Sequence, residues 1–299
     1  MLSNPDAAMP KGEPGPMPTM TESTVLGLSA VGFHRIAYTE WGAGPRTIVC
    51  VHGLTRNGRD FDVLAADLAE RLDARVICPD VVGRGRSDRL ADPDLYGYPQ
   101  YLADMTALIA RLDVKTVDWV GTSMGGLIGM MLAAQRNSPI RRLVVNDVGP
   151  FIPKAALERI GAYVGVDHAF DGMAALEGYL RSTYAGFGPL TDGQWRHLAT
   201  HSAQPLADGR LALAYDTGIA RIFARTPVSD VDLWPLWGRI TAPTLVIRGG
   251  LSDLLSAETA ERMTREGPKA ELATFPGVGH APALMDADQV DLVRTFLGR

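Results

Sequence analysis

Short apolar segments alternate with amphipathic segments along most of this chain, and this alternation constrains the fold more than any other feature. Two opening strands are predicted at Val25–Leu28 and Phe33–Trp41. The strands predicted after them are continuous β-branched or aliphatic runs: Thr47–Val51, Val76–Cys78, Val117–Val120, Leu143–Val145 and Thr244–Ile247. Such runs are typical of strands buried on both faces of a parallel sheet. Helical periods separate them: Phe61–Leu72, Gln100–Leu112, Gly125–Arg136 and Ala257–Glu266. The pattern predicts an α/β fold with an open, doubly wound sheet.

The alternation stops between Phe151 and Leu236, where the spacing of apolar residues predicts helices and no strand. The predicted helices are Lys154–Val164, Met173–Tyr184, Gln194–His201 and Thr217–Arg225. We therefore predict one core domain, residues 25–150 and 236–299, interrupted by a helical cap at 151–235. Residues 1–24 are rich in proline, glycine and methionine and lack the apolar region of a signal peptide, which predicts a disordered leader.

Charge and cysteine content narrow the classes of partner. The net charge of -5 at pH 7 provides no basic surface for nucleic acid and little attraction to anionic lipid. No apolar stretch approaches the ~20 residues that span a bilayer. Cys50 and Cys78 both lie in predicted buried strands, without the spacing of metal ligands. These features predict a cytoplasmic protein without nucleic-acid or membrane partners.

The segment Gly121-Thr122-Ser123-Met124-Gly125 fits the pattern G-x-S-x-G. It lies directly after the predicted strand Val117–Val120 and directly before a predicted helix, which is the context that a nucleophilic serine on a sharp turn requires. The helix N-terminus behind Ser123 favours negative charge developing nearby. We predict that Ser123 is a catalytic nucleophile.

A histidine and a carboxylate are needed to activate such a serine. His280 lies in a glycine-flanked loop after the strand-like segment Ala270–Phe275, and an imidazole can take the serine proton and return it to the leaving group. Asp253 follows the predicted strand Thr244–Ile247 and precedes His280, in the chain order Ser, Asp, His. We predict that Asp253 orients His280. Asp147, at the end of another strand, is the alternative, and an N-cap at the next helix is the structural alternative for Asp253.

Two backbone N–H groups must face the oxyanion of an acyl-transfer intermediate. Met124 follows the nucleophile, and Leu54 lies in the loop that begins at His52-Gly53, directly after the strand Thr47–Val51. We predict that the N–H groups of Leu54 and Met124 are these donors and that His52 braces the loop.

These motifs resemble those of the α/β-hydrolase superfamily of capped enzymes, from about Val25 to the C-terminus. The segments that carry the resemblance are His52-Gly53, Asp80-Val-Val-Gly83-Arg84-Gly85-Arg86-Ser87, Gly121–Gly125, the Asp253 turn and Gly279-His280. The resemblance implies an eight-stranded, mostly parallel sheet with the cap over the active site. A serine at position 123 argues against haloalkane dehalogenases and epoxide hydrolases, which use an aspartate there.

The function that we predict is hydrolysis of small to medium carboxylic esters through an acyl-enzyme, with no metal or organic cofactor. The alternative from the same triad is hydrolysis of a carbon–carbon bond in a ring-cleavage dienoate. Such a substrate carries a carboxylate, for which Arg181 and Arg221 of the cap are candidate partners. A non-catalytic binding module on this fold is the third alternative.

Overall fold

The apolar runs form an eight-stranded sheet in the computed structural model, which describes residues 19–224 and 228–299. The strands are β1 Met20–Ser29, β2 Gly32–Trp41, β3 Arg46–Val51, β4 Ala74–Pro79, β5 Val117–Thr122, β6 Ile140–Asn146, β7 Phe151–Ile152, β8 Ala203–Pro205, β9 Leu211–Leu213, β10 Val231–Asp232, β11 Thr244–Gly249 and β12 Glu271–Phe275. The helices are α1 Asp62–Arg71, α2 Tyr98–Arg111, α3 Met124–Ala133, α4 Lys154–Tyr163, α5 Met173–Thr183, α6 Asp192–Ser202, α7 Arg221–Ala224, α8 Trp234–Trp237, α9 Ala257–Met263 and α10 Ala287–Gly298.

The strand order of the large sheet is β1-β2-β4-β3-β5-β6-β11-β12. The hairpin of β1 and β2 is antiparallel, and β2 pairs antiparallel with β4. All the remaining neighbours in this sheet pair in parallel. This arrangement confirms the predicted α/β class and its mostly parallel sheet.

The central strands are apolar throughout because both faces of the sheet are covered. In β3, Val49 and Val51 belong to the core on the side of α2 and α3, whereas Ile48 and Cys50 belong to the core on the side of α1 and α10. All four side chains are fully buried. Since successive residues of a strand point to opposite faces, continuous burial removes the alternation that a half-exposed strand would show.

The segment between β6 and β11 is mainly helical, but it also contains strands that the sequence did not predict. A pair formed by β8 and β9 and another formed by β7 and β10 make two small antiparallel sheets. The prediction of a segment without strands was therefore wrong. With two or three residues each, these strands are too short to show a periodicity in the sequence.

The beginning of the chain also differs from the prediction. Strand β1 starts at Met20, so the last five residues of the predicted leader pair with β2. Residues 1–18 and Arg225, the last residue of a predicted helix, lie outside the described residues. No helix among residues 19–224 and 228–299 is both long and apolar enough to cross a membrane.

Candidate active site

Ser123 lies at the turn between β5 and α3 in a backbone conformation that few residues adopt. Its φ is 51°, in the left-handed region that is costly for a side chain other than glycine. The glycines on both sides make this turn possible. A Cβ at Gly121 would collide with the carbonyl oxygen of Gly125, and a Cβ at Gly125 would collide with that of Val51. The tight turn presents the Ser123 hydroxyl at the carboxyl end of the sheet.

His280 contacts the hydroxyl of Ser123 as the sequence predicted. Its Nε2 lies 3.0 Å from Ser123 Oγ, and its Nδ1 lies 2.8 Å from Oδ2 of Asp147. A carboxylate can only accept hydrogen bonds, so Nδ1 carries the proton and Nε2 is free to accept the serine proton. The preceding residue, Gly279, donates its N–H to the carbonyl oxygen of Gly186 at 2.7 Å, which anchors the loop of His280 to the inserted segment.

The carboxylate beside His280 is Asp147, and the prediction that Asp253 would occupy this place was wrong. Asp147 directly follows β6 and is fully buried. Besides His280, it accepts the N–H of Gly249 at 2.8 Å and the hydroxyl of Ser252 at 2.7 Å. The side chain of Asp253 is 54% exposed and pairs with Arg159 of α4.

The strand register explains why Asp253 points away. Strands β6 and β11 are parallel, with Ile247 opposite Asn146, so the turn after β11 passes over the end of β6. Ser252 is the residue of this turn that reaches Asp147, and the next side chain then faces outward. Both aspartates satisfy the chain order Ser, Asp, His, so that order could not separate them.

The loop after β3 lies against Ser123, because a Cβ at Gly53 would be 3.8 Å from the Cβ of Ser123. His52 is fully buried and holds this loop. Its Nδ1–H donates to the Gly53 carbonyl oxygen at 2.7 Å, and its Nε2 accepts the N–H of Val81 at 2.9 Å. Burial lowers the pKa of His52 from its ordinary value of 6.5 to about 3, so the ring is neutral at physiological pH.

Arg84 is a second support of this loop that the sequence reasoning did not single out. It is fully buried, and its Nε donates to the carbonyl oxygen of Leu54 at 2.8 Å. One Nη donates to the Tyr101 hydroxyl at 3.0 Å, and the other lies 3.6 Å from the sulfur of Met124. Arg84 therefore contacts both residues predicted to supply the oxyanion donors. The repeated glycines around it marked a tight turn in the sequence, but nothing indicated a buried guanidinium.

Two cavities meet at Ser123. The larger has a volume of about 390 Å³ and walls that are mostly apolar, including Met124, Leu127, Val148 and Phe223. The smaller has a volume of about 80 Å³ and includes His280 together with polar and charged groups, namely Thr55, Arg56, Arg159, Tyr163 and Tyr184. Leu54 belongs to both cavities. Ser123 thus lies between a mostly apolar cavity and a smaller one that has more polar and charged groups in its walls.

The arginines at the site differ from those considered in the sequence. Arg181 pairs with Glu177 and Asp192, and Arg221 pairs with Asp94. Neither belongs to the cavity walls that the described residues form at Ser123.

The cationic groups in these walls are Arg56 and Arg159. Arg56 is buried, and its guanidinium donates hydrogen bonds to the carboxylate of Asp60 and the hydroxyl of Ser202. Arg159 is 44% exposed and has Asp253 as its partner.

His280 connects the hydroxyl of Ser123, on a strand-to-helix turn, to the buried carboxylate of Asp147 at the carboxyl ends of the central strands. This arrangement is typical of α/β hydrolases, and comparison with known proteins identifies the same class. The model of the alpha/beta hydrolase family matches residues 48–293, and the chain belongs to this family. A 3-hydroxybutyrate-oligomer hydrolase of Cupriavidus necator is 47% identical over 279 residues, which cover 90% of this chain and 94% of that protein.

Two further relatives extend the similarity. A 2-(acetamidomethylene)succinate hydrolase of Mesorhizobium japonicum is 30% identical over 81% of this chain and 83% of its own length. The crystal structure of an alpha/beta hydrolase from Novosphingobium aromaticivorans superposes with a TM-score of 0.80 at 39% identity, covering 92% of this chain and 98% of that one.

Proposed function

We propose that this protein hydrolyses carboxylic esters through an acyl-enzyme. The observation that carries the proposal is the position of His280, with one ring nitrogen at the Ser123 hydroxyl and the other at the buried carboxylate of Asp147. This is the arrangement by which a base activates a weak nucleophile and is itself oriented by a third group.

The reaction that we propose begins with attack of Ser123 Oγ on the ester carbonyl carbon, while Nε2 of His280 takes the hydroxyl proton. Asp147 keeps the proton on Nδ1 and stabilises the imidazolium that forms. The N–H groups of Leu54 and Met124 hold the oxyanion, to which a single donor contributes on the order of 10²–10³ in rate. The imidazolium then protonates the departing alkoxide. Water repeats the sequence on the acyl-enzyme and releases the acid.

The position of His280 supports a placement of the two halves of the ester in the two cavities. The leaving oxygen must lie within reach of the protonated ring, and His280 belongs to the walls of the small cavity. We therefore place the alcohol half there and the acyl half in the larger apolar cavity beside Met124.

The guanidinium of Arg159, in the wall of the small cavity, supports a particular class of substrate. Two of the relatives have names that state a substrate, and each substrate name includes a carboxylate, 3-hydroxybutyrate in one and succinate in the other. An oligomer of a short hydroxy acid presents a free carboxylate on its terminal alcohol half. Arg159 is a partly exposed guanidinium that can exchange Asp253 for such a carboxylate. We propose short oligoesters of hydroxy acids as the substrate class.

The experiment that tests the proposal compares wild type with Ser123→Ala on two series of substrates. One series is p-nitrophenyl acyl esters of increasing chain length, and the other is linear dimers and trimers of 3-hydroxybutyrate. We expect hydrolysis of both series and a loss on the order of 10⁶ in kcat for the variant. The preferred acyl length reports the depth of the apolar cavity.

Two results would contradict the proposal in different ways. If folded wild type hydrolyses neither series but a fluorophosphonate probe labels Ser123, the triad is active on another bond, and a ring-cleavage dienoate is the next substrate to test. If the probe does not label Ser123 either, the chain is a binding module and not an enzyme.

A further inference from the structure

Two histidines and a buried aspartate meet on the side of the molecule where helix α6 packs against the start of α1. His197 and His201 are one turn apart on the same face of α6, and Asp62 is the first residue of α1. Each of the three residues offers one atom that could bind a metal, a ring nitrogen or a carboxylate oxygen, and these three atoms lie within 4.8 Å of one another. None of the three belongs to the walls described for the two cavities at Ser123.

We propose that Asp62, His197 and His201 form a binding site for a divalent transition-metal ion of the zinc type. Two imidazole nitrogens and one carboxylate oxygen suit such an ion, whereas calcium and magnesium prefer oxygen ligands alone. No metal was expected from the sequence, because the third ligand, Asp62, lies 135 residues before His197, and two histidines four residues apart on a helix are too weak a signal alone.

The distance between His197 and Asp62 fits this assignment. Ligands of a tetrahedral zinc ion, bonded at about 2.0 to 2.1 Å, lie about 3.3 to 3.4 Å from each other. His197 Nε2 is 3.4 Å from Asp62 Oδ2. The rings of His197 and His201 meet edge to face with their centroids 4.6 Å apart. His201 offers a nitrogen within 4.8 Å of the other two ligand atoms, so its ring must come closer to complete three protein ligands, with water as the fourth.

Arg59 competes for the same carboxylate. Its Nε donates to Asp62 at 2.8 and 2.9 Å, and its carbonyl oxygen lies 2.9 Å from His197 Nε2. The guanidinium of Arg59 therefore occupies the Asp62 oxygens that an ion would need. The Arg59 side chain is 19% exposed, at the edge of the cluster, so it can move into solvent when a metal takes the Asp62 oxygen and the place of the Nε2 proton.

The ion would connect helix α6 to helix α1, and the shape of the small cavity depends on the position of α6. Helix α6 carries Leu198, which lines the small cavity, and Ser202, whose hydroxyl accepts from Arg56. Helix α1 belongs to the core. Metal binding therefore fixes one wall of the small cavity to the core, and this inference does not depend on the proposed esterase activity.

The test is calorimetric titration of chelator-treated protein with Zn²⁺, together with the visible absorption of Co²⁺. We expect one ion per chain, a d–d band typical of tetrahedral Co²⁺, and a higher Tm with zinc. His197→Gln and His201→Gln should each weaken zinc binding at least tenfold and abolish the band. Arg59→Gln should strengthen binding, because it removes the competing cation.

Two controls separate this site from other histidines. His168→Gln changes a histidine that packs against Phe170 and Tyr179 outside the cluster, and His280→Ala removes the active-site imidazole. Both should keep the wild-type affinity for zinc. Absence of binding in the wild type, or binding that His197→Gln and His201→Gln leave unchanged, would overturn the proposal.

Discussion

The chemistry of the site depends on which carboxylate holds the Nδ1 proton of His280. Asp147 is buried and accepts three hydrogen bonds, from His280, Gly249 and Ser252, so its charge is fixed in a water-excluded position. We expect Asp147→Asn to lower kcat by on the order of 10⁴, because an amide at this position stabilises the wrong tautomer and cannot stabilise the imidazolium. Steady-state hydrolysis of a p-nitrophenyl ester measures the loss.

Asp253→Asn is the matched control for this substitution. The same chemical change falls on an exposed carboxylate whose partner is Arg159, so kcat on a neutral ester should stay within about twofold of wild type. Equal losses in the two variants would remove Asp147 from the mechanism.

The second prediction at the residue scale concerns Arg159. If its guanidinium receives the carboxylate of the alcohol half, Arg159→Gln should raise KM about fivefold for a 3-hydroxybutyrate dimer and leave kcat nearly unchanged. The dimer's methyl ester, which lacks the charge, is the control and should show no change in KM. Asp253→Asn frees the guanidinium and should lower KM for the charged dimer. A similar rise in KM for both esters in Arg159→Gln would mean that Arg159 only shapes the cavity.

Sequence reasoning identified the site residues whose chemistry depends on local order along the chain. Ser123 and His280 carry their own signals, a strand-to-helix turn and a glycine-flanked loop. The choice between Asp147 and Asp253 depends on how the turn after β11 crosses the end of β6, which is a long-range contact. Arg84 was missed for a related reason, since a basic residue in a glycine-rich loop is indistinguishable from a solvated one until its burial is known.

At the scale of elements, the turn between β5 and α3 requires glycine. Gly125 is the second residue of α3, and a Cβ there would collide with backbone atoms of Val51 that cannot move without distorting β3. We expect Gly125→Ala to destabilise the protein by about 2 kcal/mol or more and to reduce kcat, because the strained turn at Ser123 would shift. Urea unfolding and ester hydrolysis report the two effects separately.

Gly178 provides the opposite case within the same chain. It lies in helix α5, and a Cβ built there meets no atom within 4 Å. Gly178→Ala should therefore raise the free energy of unfolding by about 0.5 to 1 kcal/mol and leave kcat unchanged, since alanine is the better helix former. If Gly178→Ala destabilised the protein as well, the effect of Gly125→Ala could not be attributed to the close backbone contacts of Gly125.

The same scale explains which elements were predictable. Each long apolar run of the core became a strand in the expected place because burial on both faces leaves a strong signal. Strand β7 has two residues and pairs with β10, about 80 positions further along the chain, so its formation depends on the packing of the inserted helices. No local pattern encodes such a pairing.

For the whole molecule, the buried His52 contributes to the loss of stability in acid. The pKa of His52 is about 3 in the folded protein and has the ordinary value of 6.5 in the unfolded chain. Between these two pH values the unfolded chain binds a proton at His52 and the folded protein does not. Stability from this group is complete above about pH 6.5, falls as the pH decreases through that value, and levels off near the folded pKa. Between pH 7.5 and 5.0 the loss should be about 2 kcal/mol, at about 1.4 kcal/mol per unit below the unfolded pKa.

The measurement is the free energy of unfolding in urea at pH 7.5 and 5.0, for wild type and His52→Gln. The substitution removes the titrating ring at this position, so the difference between the two pH values should shrink by about 2 kcal/mol, whatever the variant's absolute stability. Contributions from all other titrating groups cancel in this double difference. In wild type, the imidazole resonances of His52 should show no titration between pH 7.5 and 5.0. A ring that titrates near 6.5 would mean that His52 is solvated, and the loop carrying Leu54 would then lack its main support.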